Sequence, residues 1–100
     1  MYEVIVLPEA ETEFNNYIDY IYFSYDAPLT AIQHYNKILE VLYSLEEYAE
    51  IYKIEYLPSL QKYGSNVRRV NYKKISIIYT VFGKTVYIHR IMAAALIQEN

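Results

Sequence analysis

Two-thirds of the way along the chain the spacing of apolar residues changes, and that change limits the possible folds more than any other feature. In the first half, Ala10, Phe14, Tyr17, Ile18, Ile21 and Tyr25 recur at helical intervals and make one stripe. A second stripe holds Ala31, Tyr35, Ile38, Leu42 and Leu45, with Gln33, Asn36, Lys37 and Glu40 on the opposite side. From Val67 onward the period becomes two, which predicts strands over 67–72, 75–82 and 85–91. A helical stripe buries one side of a helix and an alternating strand buries one face of a sheet, so the two halves need each other. The expected class is α+β.

The connections sharpen this layout. YEVIVL at 2–7 is a β-branched run stopped by Pro8, hence a strand followed by a helix start. Glu9, Glu11 and Glu13 fall in the first turns, where carboxylates favour a helix N-terminus, and read as solvated charge. Asp26 is placed to cap a second helix, with Pro28 in its first turn. Two amphipathic helices joined so tightly predict an antiparallel hairpin. Gly83-Lys84 supplies a Gly-X hairpin turn and Lys73-Lys74 a second reversal, giving a three-stranded antiparallel meander. The order β-α-α-β-β-β then forms a sheet with the helices on one face. Residues 48–66 are polar and Tyr-rich, interrupted by Pro58 and Gly64, and IYKIEY within them reads as a short extended piece. Residues 1–100 form one domain, without repeats or linkers.

Composition narrows the functional classes. With no cysteine the chain has neither disulfides nor thiolate chemistry, and two glycines leave no room for a phosphate-binding loop. The opening MYEVIVLPEAE lacks the basic and apolar regions of a signal peptide, and no apolar run is long enough to cross a bilayer. A cytoplasmic location is the expectation, with no membrane partner. His34 and His89 are isolated from other ligand types and read as packing residues, so neither a metal nor another cofactor is expected. Charge is divided along the chain. Glu3, Glu9, Glu11, Glu13, Asp19 and Asp26 occupy a first quarter with no base. After residue 52, eight Lys and Arg face only Glu55 and Glu99. Such a division favours one anion-facing surface. Fourteen tyrosines suit half-buried positions and interfaces.

Several segments together resemble the RelE/ParE toxins of bacterial toxin–antitoxin pairs. YEVIVLPEAETEF is similar to the family's opening strand and acidic helix start, and YDAPLTAIQHYNKILEVLYSL to its second helix. NVRRVNYKKISIIYTVFGKTVYIHRI resembles its closing sheet. The resemblance implies a small helical hairpin on a sheet, and a type II toxin of the plasmid-stabilisation kind. Such a toxin is neutralised by a cognate antitoxin encoded beside it. The RelE-like branch cleaves mRNA on the ribosome; the ParE-like branch poisons DNA gyrase.

Within that resemblance, Arg68 matches the family's arginine on the second strand and would clamp phosphate, and Lys74 stands where a basic residue is common. Ser76 and Thr80 replace arginines frequent in the family, and the tail Met92-Ala93-Ala94-Ala95-Leu96 lacks the Arg, His or Tyr of the nuclease branch. Metal-independent RNA cleavage needs charge stabilisation and proton transfer that alanines cannot supply. The residues therefore favour a ParE-like toxin, a divergent mechanism or a toxin that has lost activity over an mRNA interferase of the usual kind. Arg68 and Arg90 are the candidate catalytic residues. Arg69, Lys73, Lys74 and Phe23 are the candidates for contact with target or antitoxin. Adjacent Arg68 and Arg69 point to opposite faces. Arg90 is expected on the face of Val86 and Ile88, as a paired core-edge arginine or a binding residue. Phe23 points away from the first apolar stripe. The alternative is a catalytically inactive module of the same fold that binds an antitoxin-like partner and co-regulates their operon.

Overall fold

The structure, a computed structural model, describes residues 1–97. Strand β1 (Glu3–Val6) leads through Pro8 into α1 (Pro8–Asp19), a π-helical turn (Tyr20–Ser24) and α2 (Pro28–Tyr48). A 3₁₀ helix (Pro58–Tyr63) precedes β2 (Arg68–Tyr72), β3 (Ile75–Phe82) and β4 (Thr85–Ala93), and a 3₁₀ turn (Ala94–Leu96) follows. The sheet order is β1-β4-β3-β2. The meander pairs antiparallel as its turns require, while β1 lies parallel to β4, pairing Glu3 with Thr85 and Val6 with Ile88. Gly83 and Lys73 both hold positive φ, 61° and 53°, which two-residue hairpins demand of a turn position.

The main core lies between hairpin and sheet. Ala10 and Phe14 of α1 and Ile38, Leu42 and Leu45 of α2 meet Val70, Ile77, Tyr79, Val86, Ile88 and Ile91. Each fully buried aliphatic side chain contributes about 1.5–3 kcal/mol. The opposite sheet face is also covered in part: Leu60 of the 3₁₀ helix, Val67 and Ile97 pack on Ile78, with Tyr63 and Met92 around them. Burial from both sides explains why Ile75 to Tyr79 are all buried, where strict alternation was expected. The Ile54–Arg68 bridge and the Glu55 N–H to Val67 C=O bond (2.8 Å) make the expected short extended piece.

Three local expectations are corrected. Asp26 does not cap α2: it sits at φ 48°, and Ala27 holds the cap position without a side-chain bond. The α-helical stripe does not reach Tyr25. The wider π-helical turn shifts the angular phase, so Ile21 stays buried while Tyr25 emerges into solvent. Arg90 does not share the face of Val86 and Ile88. The β3–β4 register pairs Ile78 with Arg90 but Tyr79 with Ile88, leaving His89 as an extra residue in a bulge. Beyond that bulge the faces exchange, and Ile91 joins the core in place of Arg90.

Candidate functional site

The three arginines of the sheet are held by different parts of the protein. Arg68 points to the helical side. Its Nη1 donates to the Glu50 carbonyl at 3.1 Å and to the Tyr52 carbonyl, just past the end of α2. The Tyr79 hydroxyl donates to the Ala49 carbonyl at 2.7 Å in the same region. A helix end leaves carbonyls without intrahelical donors and carries partial negative charge, so a guanidinium and a phenol there satisfy both needs. This accounts for Arg68 as a clamp on α2. Burial pushes the Tyr79 hydroxyl pKa well above the ordinary tyrosine value, so the phenol remains a donor.

Arg69 points to the other face, as adjacency on a strand dictates. Its Nε lies 3.1 Å from both Asn71 Oδ1 and Ser76 Oγ, and the Ser76 hydroxyl donates to Asn71 Oδ1 at 2.6 Å. Ser76, where the family often has arginine, is thus a fully buried link in a polar network.

Arg90 is the most heavily engaged. Its Nε and Nη2 donate to the two Glu13 carboxylate oxygens at 2.9 and 2.7 Å, and Nη1 donates to the Tyr63 hydroxyl at 2.9 Å. The Ile91 N–H also donates to Glu13 at 3.0 Å. β1 ends at Val6 and leaves this stretch of β4 without a neighbouring strand on that edge, so the Glu13 carboxylate takes the place of a strand acceptor there. Bonding to Glu13 raises the pKa of the guanidinium above its ordinary value and keeps it charged. Of the two alternatives for Arg90, the paired arginine is the one observed. Glu13, and Glu9 with its Oε1 2.9 Å from the Arg90 Nε, are correspondingly not the purely solvated charges expected of them. The available signal was an arginine inside a largely apolar strand, where a charge calls for a partner from elsewhere in the chain.

Lys73 and Lys74 occupy the β2–β3 turn but serve different surfaces. Lys73 lies over the Tyr72 ring and lines a cleft with α2, whereas Lys74 lines an apolar groove with Tyr20, Ile91 and Leu96. Phe23 is 74% exposed, touching Tyr22, and shares the hairpin tip with exposed Tyr20, Tyr25 and Leu29. Both histidines are packing residues. His34 Nδ1 bonds the Tyr17 hydroxyl and His89 Nε2 the Thr80 hydroxyl, each at 2.8 Å, and burial holds both below the usual imidazole range. Among the described residues no group of three or more His, Asp or Glu is placed to hold a metal, and no helix is long and apolar enough to cross a membrane. The structure does not gather the six candidates into one pocket. They divide between the end of α2, the opposite sheet face, the β2–β3 turn and the hairpin tip.

A helical hairpin on a four-stranded sheet, with edge strand β1 parallel to the last strand and the arginines bound internally, defines a small α+β class. Comparison with known proteins makes the class specific. The family described as ParE toxin of type II toxin-antitoxin system, parDE, matches residues 4–95. The chain belongs to this family. A solved structure titled "Chromosomal ParDE TA system from P. aeruginosa" matches with a TM-score of 0.71 at 20% identity, covering 93% of this chain and 96% of that one. Among curated proteins none matches significantly.

Proposed function

We propose that this type II toxin inhibits growth by acting on DNA gyrase rather than by cutting message, and that a cognate antitoxin silences it. The observation carrying the choice of target is the internal engagement of all three sheet arginines: Arg68 with carbonyls, Arg69 with Ser76 and Asn71, Arg90 with Glu13 and Tyr63. A phosphorane needs unengaged cations and a proton-transfer group beside them. Here the nearby imidazole, His89, has its Nε2 bonded to Thr80, and burial lowers its pKa, which makes it a poor proton donor to a leaving group. The antitoxin reading rests on the exposed aromatic tip around Phe23, since silencing requires large apolar anchors that a partner can bury.

Induction of the chain alone should slow bacterial growth, and co-expression of the neighbouring small reading frame should restore it. Under induction, plasmid topology should change while message stays intact. Cleaved message with normal topology would overturn the gyrase reading. Normal growth with abundant soluble protein would instead select the inactive binding module, which the Ala-rich tail and engaged arginines also suit.

A further inference from the structure

A cleft of about 590 Å³ opens between α2 and the β2–β3 turn, lined by none of the three arginines and not by Phe23. Thr30, Gln33, Asn36 and Lys37 reach it from α2 and Lys73 from the turn, with His34 and Tyr72 as its inner wall. Its lining holds two ammonium groups, two amides, two hydroxyls and an imidazole, and no carboxylate. In a chain with net charge −3 that is a local reversal of sign.

Both lysines are exposed, and each has only a weak surface partner. The positive φ of Lys73, 53°, belongs to a tight turn, and its ammonium lies 5.7 Å from the centre of the Tyr72 ring. That ring meets the His34 ring edge-on with centroids 5.8 Å apart, which fixes the turn against the helix. Lys37 lies across the cleft on α2. Its ion pair with Glu40, 3.2 Å, is solvent-exposed on both sides and therefore weak enough to yield to a better anion. Lysines act on oxyanions as movable point charges, and amide and hydroxyl donors complete the coordination.

We propose that this cleft binds a small oxyanion, carboxylate or phosphate, between Lys37 and Lys73. Both sources share the chemistry of a compact anionic group met by two ammoniums and neutral donors. The inference is independent of which cellular target the toxin takes.

The test is titration of the intact chain with inorganic phosphate and, separately, with glutarate, at ionic strength held constant with chloride, following backbone amide shifts. Saturable shifts confined to residues 30–37 and 72–73 are expected. Neutralising both contacts with Lys37→Gln and Lys73→Gln should raise the half-saturation concentration about tenfold, whereas Lys84→Gln on the far hairpin should leave it unchanged. Phosphate saturating first identifies a phosphate-bearing ligand, and glutarate saturating first an acidic peptide; either supports the site. Shifts that do not saturate, that spread equally to Lys53, Lys62 and Lys84, or that persist in the double variant would overturn it.

Discussion

Glu13 and Arg90, 77 residues apart, form a two-pronged ion pair that joins the first helix to the last strand. The same carboxylate accepts the Ile91 N–H, so one side chain both neutralises an arginine and completes a strand edge. The π-helical turn, the hairpin tip, α2 and strands β2 and β3 lie between them in sequence.

Replacing Glu13 by Gln keeps the shape but removes the charge and turns one acceptor into a donor facing the guanidinium. Both side chains are largely buried, so stability should fall by about 2–3 kcal/mol, read as a lower urea midpoint at unchanged slope. A loss below about 0.5 kcal/mol would mean that the pair contributes no more than an exposed one.

Arg68→Ala removes the donor to the Glu50 and Tyr52 carbonyls. A stability loss of about 1–3 kcal/mol is expected, with any decline in growth inhibition following the folded fraction. An Arg68 variant that melts like the parent yet no longer inhibits growth would restore Arg68 to a role at the target.

The buried Tyr79 hydroxyl sets a pH dependence. Its folded pKa lies above the unfolded value of about 10, so above that pH the unfolded chain releases a proton that the folded chain retains. The contribution is fully present below pH about 10 and declines as pH rises toward the folded value. Tyr79→Phe should cost about 1–2 kcal/mol at neutral pH and flatten the alkaline fall in stability. Parallel stability–pH curves for parent and variant would contradict the assignment.

Phe23→Glu should leave the melting temperature nearly unchanged, because the ring is mostly in solvent. Binding to the antitoxin should weaken by about thirtyfold or more, as measured by calorimetry, if Phe23 is an anchor. Parental affinity would move the antitoxin surface away from the hairpin tip.

Local chemistry carried much of this architecture. Pro8 and Pro28 mark the two helix starts, β3 runs over the expected 75–82, and Gly83 and Lys73 turn where they should. These features depend on φ, ψ and the spacing of neighbours, all of which a short stretch of sequence encodes. The candidate site was legible only as a set of residue types, since a side chain's partners lie far away along the chain. No local signal says that Arg68 will find the end of α2, or that Ser76 will be buried beneath Arg69.

Arg90, first read as either paired or free for a ligand, shows where the division falls. The sequence by itself determined that a charged residue would sit within an apolar closing strand and that two helices would cover a meander. Only the tertiary structure decided its face, because the bulge at His89 reverses the alternation, and only it brought Glu13 within reach. Alternation is a property of neighbours, whereas a bulge and an ion pair across 77 residues arise from packing the whole sheet against α1.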